Sequence, residues 1–251
     1  MSFKIEVNPD YPAFTSVLEN IKSLFLQKGE TIHKARNELK IIELEGRQCV
    51  VKAFKVPNVI NQFAYAYLRD SKACKSFHNA SRLTALKVET PEPIGYIEFY
   101  ENGLLQESFF ISRYAPYDFT MAHVRDEDPE DKEGILKAFA DFSHDLHRKG
   151  VWHVDYSGGN ILINRTDEGY TFSLVDINRM QFFQINGLKG LENFNKMWFD
   201  EKALITIAKQ YAKRANLDEK QAIEEILEQD KKLKAHVLRR RKIKAFFKGH
   251  N

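Results

Sequence analysis

One stretch narrows the choice of folds for this 251-residue chain more than any other. It is His153-Val154-Asp155-Tyr156-Ser157-Gly158-Gly159-Asn160, running into Ile161-Leu162-Ile163 and then, after a polar break, into Phe172-Ser173-Leu174-Val175 and Asp176. An acid and an amide leave one short loop, an apolar strand anchors that loop, and a second apolar strand delivers another acid at its end. Asn164 to Tyr170 reads as the turn that joins the two strands into a hairpin. Taken singly, each residue has an ordinary structural reading: a core histidine, or an Asp and a Gly-Gly pair at a bend. The spacing is what discriminates. A proton acceptor and two oxygen ligands at fixed offsets are what a hydroxyl attacking a metal-bound phosphate requires.

That spacing is the one found in kinase catalytic loops: His-x-Asp, four residues, Asn, and then an Asp closing the next hairpin. On this reading Asp155 is the catalytic base, and Asn160 and Asp176 hold magnesium on ATP. The same order upstream makes the strand Cys49–Phe54 the carrier of a phosphate-pairing lysine, Lys52. Ser108–Tyr114 ends a strand just before Pro116, which makes Ser112, Arg113 and Tyr114 the expected adenine contacts. The segment Gly29–Glu38 should cover the phosphates. It has a single glycine, so Lys34 and Arg36 are expected to hold phosphate oxygens by charge instead of by backbone amides. Two further departures stand out. No glutamate occurs from Pro57 to Val88 to pair with Lys52, and Ile177-Asn178 follows Asp176 where protein kinases have Phe-Gly. The absence of Ala-Pro-Glu after Arg179 argues against a protein substrate docked on an activation loop.

The remaining pattern supplies the scaffold. Glu38–Leu44 and Cys49–Phe54 read as a hairpin broken at Gly46, and Ile94–Tyr100 and Ser108–Tyr114 as another turned at Glu101-Asn102-Gly103. Between them Phe63, Tyr67, Phe77, Ala80, Leu83 and Leu86 suit one or two helices, the second capped at Asp70-Ser71. About four strands with an inserted helix therefore occupy residues 1–115. Ile135, Leu136, Phe139, Phe142 and Leu146 predict a helix stopped by Gly150, and everything past Gly187 reads as helical. The expected class is α+β: a protein-kinase-like, two-lobed fold, with a small antiparallel sheet and a helix in the N-lobe (1–115) and a mainly helical C-lobe (116–251). With 43% apolar residues the chain has enough material for a core, and nothing in it resembles a linker, repeat or membrane span.

Lys52 on its strand, the Arg82-Leu83 helix running into Thr90-Pro91-Glu92-Pro93, the strand end before Pro116, His153-x-Asp155 with Asn160-Ile161-Leu162, and Asp176-x-Asn178-Arg179 together resemble the lipopolysaccharide core kinases, the Kdo and heptose kinases of Gram-negative bacteria. The resemblance covers roughly residues 30–185. It implies ATP as phosphate donor, magnesium, an inner-core sugar hydroxyl of a lipopolysaccharide glycolipid as acceptor, and a place at the cytoplasmic face of the inner membrane. By the same resemblance Asp155 accepts the sugar hydroxyl proton, Asn160 and Asp176 hold magnesium, and Lys52 steadies the ATP phosphates. A kinase acting on a soluble small molecule or a protein is the alternative within the class, and an inactive kinase-shaped scaffold the alternative outside it.

The net charge of +3 argues for no particular partner, but its distribution is uneven. Asp218–Phe247 reads as one long helix, acidic early and basic late, as the helix dipole favours. Its end, Arg239–Lys248, reads either as a solvated or packed helix end or as a surface for anionic lipid or phosphorylated glycolipid, where each basic residue contributes about 1 kcal/mol. No nucleic-acid-binding motif accompanies it. Two unpaired cysteines and no leader pattern fit a reducing, cytoplasmic setting, peripheral at the membrane.

Overall fold

The computed structural model describes residues 2–34, 37–55, 58, 61–62, 64–65 and 69–248, without the side chains of 244 and 246–248. Arg36, and Phe63 and Tyr67 of the expected helix, lie outside these. The chain forms two compact units: Met1–Pro116 with Leu174–Arg179, and Tyr117–Ser173 with Met180–Asn251. The first unit thus takes in Asp176, far along the chain from the rest of it.

The first unit is built on a six-stranded sheet of order β1-β5-β6-β4-β3-β2. Its strands are β1 (Ser2–Val7), β2 (Glu30–Lys34), β3 (Asn37–Leu44), β4 (Arg47–Phe54), β5 (Pro93–Glu101) and β6 (Leu104–Arg113), each antiparallel to its neighbours. The β5–β6 turn places Asn102 at φ 50° and Gly103 at φ 75°, the pair of left-handed residues that a tight hairpin with the right twist needs. Four of the six strands follow the sequence expectation. The edge strand β1 is exposed or half-buried throughout and β2 is exposed along its length, so neither shows an apolar run.

Two short helices, α1 (Phe14–Glu19) and α2 (Ile21–Gln27), were not anticipated. Their signal is present in the chain: Phe14, Val17, Leu18, Ile21 and Phe25 recur at helical spacing. They form one core with Ile42, Val51, Ile97, Phe109 and Ile111 of the sheet. Helix α3 (Lys72–Ala85) also packs on β5 and β6, burying Ala73, Cys74, Phe77, Ala80 and Leu83. Ser71 caps it as expected, its side chain accepting from the Cys74 N–H.

The second unit is mainly helical. In order it contains β7 (Phe119–Thr120), α4 (Met121–Asp126), α5 (Lys132–Arg148), β8 (Val151–Trp152), β9 (Ile161–Thr166), β10 (Gly169–Leu174), β11 (Gln181–Phe182), α6 (Glu201–Ala215) and α7 (Glu219–Lys248), with 3-10 turns at Gly158–Asn160 and Gly187–Met197. Strands β10-β9-β7 form a small sheet, and β11 pairs with β8. Aromatic rings fill its core: Phe139 stacks on Tyr156 at 5.5 Å and meets Phe194 edge-on, and Phe194 meets Tyr211. Helix α7 is held by its first turns, where Ala222 and Ile226 are buried. Beyond Asp230 its described residues are exposed or half-buried.

Candidate active site

The loop after β8 is fastened from below. Tyr156 is fully buried, its hydroxyl 2.7 Å from the Ser143 hydroxyl of α5, and burial holds that phenol far above its ordinary pKa. Gly158 passes so close to α4 that a Cβ there would lie 2.7 Å from the Ala122 nitrogen, which is why a glycine stands at this point of the loop. Above this floor the backbone N–H of Asp155 donates to His153 Nδ1 at 3.1 Å, which fixes the ring of His153, itself 1% exposed. The Asn160 side-chain amide donates to the Asp155 carbonyl at 2.8 Å. Asp155 and Asn160, five residues apart, are thus locked into one loop conformation, and the Asp155 carboxylate keeps partial access to solvent.

Two residues of the 3-10 turn Gly187–Met197 complete this arrangement. Asn193 donates to the His153 carbonyl at 3.0 Å. Lys196 places its ammonium 2.6 Å from the Val154 carbonyl and 3.1 Å from Asp155 Oδ1. Sequence reasoning missed both. They lie about forty residues past the loop, and their only local mark is a burial period of three that no motif scan singles out.

Asn193 also connects the loop to a buried histidine. Its Oδ1 stands 3.2 Å from His147 Nε2, while His147 Nδ1 lies 3.0 Å from the Tyr211 hydroxyl. An amide oxygen only accepts, so the proton of the neutral ring is assigned to Nε2 and Tyr211 donates to Nδ1. Burial pushes the His147 imidazole down to about 4, with His144 adding to the depression and the Asn193 hydrogen bond opposing it. The unfolded chain therefore binds a proton that the folded chain refuses. Stability from this group is full above pH ~6.5 and is lost as the pH falls toward 4, a loss on the order of 3 kcal/mol. Urea melts of wild type and His147→Gln at pH 7 and pH 4.5 should show a steeper acid loss for wild type. Parallel losses would contradict the assignment.

In the first unit Lys52, on β4, forms an ion pair with Asp176 Oδ1. The pair answers the question left by the missing helix glutamate: the lysine is held by the acid that ends the second hairpin. Asp176 has φ 55°, a left-handed conformation that Asp tolerates better than most residues. Its segment is secured by three amides and a hydroxyl. Thr90 Oγ1 donates to the Leu174 carbonyl at 2.8 Å, the Leu174 N–H to Glu89 at 2.9 Å, Asn79 of α3 to the Ile177 carbonyl at 2.7 Å, and Asn178 to Asp176 Oδ1 at 2.8 Å. Asn79 thus ties α3 to the backbone beside Asp176. Asp176 Oδ2 faces no described donor.

The other expected residues are less engaged. Ser112 is buried in β6, and the Arg113 and Tyr114 N–H groups donate to the Glu92 and Gln48 carbonyls, both at 2.9 Å, so these two amides are already committed to the sheet. The Arg113 guanidinium pairs with Glu92 at 3.3 Å on the surface. Lys34, at the end of β2, reaches Glu38 only at 3.8 Å and is mostly exposed. Among the described residues no cluster of three His, Cys, Asp or Glu could cage a metal. The Asp176 carboxylate of the first unit and the Asn160 amide of the second each offer a hard oxygen of the kind magnesium takes as ligand.

A model of the family described as "Lipopolysaccharide kinase (Kdo/WaaP) family" matches residues 45–213, about two thirds of the chain, a span that includes Lys52, Asp155, Asn160, Asp176 and Lys196 but not Lys34 or Arg36. Among solved structures the chain is similar to one described as "WaaP in complex with acyl carrier protein", with 17% identity, 94% of this chain and 97% of that one covered, and a TM-score of 0.57. At that identity the likeness bears on the fold, which is kinase-like as the catalytic-loop spacing predicts. No curated protein matches the sequence.

Proposed function

Since the chain belongs to the lipopolysaccharide kinase (Kdo/WaaP) family and is an ATP-dependent kinase, we propose that it phosphorylates a hydroxyl of Kdo or another inner-core sugar of lipopolysaccharide, with Asp155 as its base. The observation that carries this reading is the presentation of Asp155: a partly exposed carboxylate on a loop held by hydrogen bonds with His153, Asn160, Asn193 and Lys196. A general base has to be held in place before it can act, and these contacts support that role.

The acceptor hydroxyl gives its proton to the Asp155 carboxylate. Its oxygen bonds to the γ-phosphorus, the bond from that phosphorus to the bridging oxygen breaks, and ADP departs with the electron pair. Lys52 exchanges its contact with Asp176 for the ATP phosphates. The Asp176 carboxylate and the Asn160 side-chain oxygen would hold magnesium, which would offset the phosphate charge. The segment Ser112–Tyr114 meets the adenine, and Lys34 and Arg36 add positive charge over the phosphates.

The acceptor is expected at a membrane surface. No helix among the described residues is long and apolar enough to cross a membrane, whereas Arg239, Arg240 and Arg241 are exposed on α7 beside the exposed Leu238 and Ile243. Such a helix end can rest on anionic lipid with its guanidinium groups on phosphates. The test is ATP turnover with magnesium on vesicle-borne Kdo-lipid A precursor and on a panel of soluble sugars, with full-length chain and a chain ending at residue 238. Turnover confined to the glycolipid, with a higher apparent KM for the shortened chain, is expected. Equal turnover on soluble sugars would remove the glycolipid reading.

A further inference from the structure

We propose that Lys196 is a catalytic residue, whose ammonium contacts the γ-phosphoryl group during transfer; the inference rests on reading Asp155 as the base. An ammonium has three N–H donors. Two are used, on the Val154 carbonyl at 2.6 Å and on Asp155 Oδ1 at 3.1 Å, and the third has no acceptor among the described residues. The side chain is 36% exposed, beside a base whose own side chain is 29% exposed, so the ammonium has access to solvent next to Asp155.

The local chemistry calls for such a group. The residues between Asp155 and Asn160 are Tyr156, Ser157, Gly158 and Gly159, none of them charged, so the loop has no cation of its own for the phosphoryl oxygens. Lys196 comes instead from a backbone that is clamped to the loop. Asn193, one 3-10 turn earlier, holds the His153 carbonyl, and Leu191, Phe194 and Met197 are buried around it. A cation fixed in advance where negative charge gathers is the arrangement that stabilises a transition state at no reorganisation cost.

A purely structural role does not explain the pairing. Val154 and Asp155 are both half-buried, so neither oxygen depends on an ammonium for a partner. The same charge is placed to receive the phosphoryl oxygens as the O–P bond forms and the bond to ADP breaks.

The test compares wild type, Lys196→Met, Lys196→Arg, and Lys196→Cys before and after alkylation with bromoethylamine, which rebuilds an ammonium of similar reach. Wild type is alkylated in parallel, since Cys49 and Cys74 are free but buried. Readouts are kcat, KM for ATP, acceptor-independent ATP hydrolysis and melting temperature. Loss of the charge should lower kcat for both transfer and hydrolysis by about a hundredfold, the cost of removing one transition-state donor, with KM for ATP and melting nearly unchanged. Arginine should restore part of the rate, and alkylation most of it. Unchanged kcat in Lys196→Met, or a loss that alkylation leaves in place, would overturn the proposal. If Lys196→Met does not fold, the alkylated and unalkylated cysteine forms give the same comparison. Asp155→Asn assayed alongside separates the two readings: turnover kept there but lost in Lys196→Met would remove the base and retain the cation.

Discussion

Asp155→Asn should lower phosphate transfer by roughly a thousandfold while leaving ATP binding and the fold nearly unchanged. The substitution conserves size, and the contacts that hold the loop are made largely by backbone atoms: the Asp155 N–H on His153, the Asp155 carbonyl on Asn160, and the His153 carbonyl on Asn193. An amide oxygen can still accept from Lys196. It cannot take the acceptor proton, and general-base catalysis is worth about a hundredfold to ten-thousandfold. The loss should therefore fall on kcat, with KM for ATP conserved. A variant with wild-type kcat would remove Asp155 from the mechanism.

The second large effect is expected at Asp176. Asp176→Asn suits the left-handed φ of 55° at that position, because Asn tolerates it as well as Asp does, and the Thr90 and Asn79 contacts to the neighbouring carbonyls remain. What changes is charge. The carboxylate proposed to hold magnesium is lost, and with it the ionic partner of Lys52, which is only 12% exposed. Calorimetric titration with ATP should show magnesium strengthening binding to wild type by at least about a hundredfold and barely affecting the variant, a difference of ~3 kcal/mol. Without magnesium the variant should bind ATP at least as tightly as wild type, since its Lys52 has no ion pair to give up. Equal magnesium enhancement in both would place the metal elsewhere. Asp176→Ala is the poorer test, since an alanine in this conformation adds about 1 to 2 kcal/mol of backbone strain to the lost charge.

Much of this site can be read from the chain because its parts are close in sequence. Asp155 and Asn160 share a loop, Asp176 follows on the next hairpin, and the offsets between them are imposed by strand and turn lengths that leave little freedom. Lys52 is legible for a related reason, lying on an apolar strand at the expected place in the order. Its partner is not. The lysine and Asp176 are 124 residues apart, and only the folded first unit, which gathers Leu174–Arg179 to the sheet, pairs them. Lys196 and Asn193 are hidden in the same way. They reach the loop from a 3-10 segment whose short period resembles neither a helix nor a strand.

The fold shows the same division. Helix α3 and the four middle strands announce themselves by apolar period and by turns such as Asn102-Gly103. Strand β1 is exposed or half-buried along its length and becomes a strand because β5 offers it an edge, with Ser2 opposite Tyr100 and Val7 opposite Gly95. Its alternation of Phe3, Ile5 and Val7 with polar residues is a strand signal all the same, one that the reading of the chain passed over. Helices α1 and α2 are different: their apolar residues have helical spacing, but an intervening Asn20 that ends one and begins the other shortens each to about two turns, below the length at which the pattern is persuasive.

The most direct test of the central claim is the product itself. Kdo-bearing lipid A precursor is incubated with ATP, magnesium and either wild type or Asp155→Asn, and the glycolipid is fragmented by mass spectrometry. The account predicts a single added phosphate on an inner-core sugar with wild type and none with Asp155→Asn. A glycolipid left unmodified by an enzyme that consumes ATP on another acceptor, or phosphorylated equally by both proteins, would contradict it.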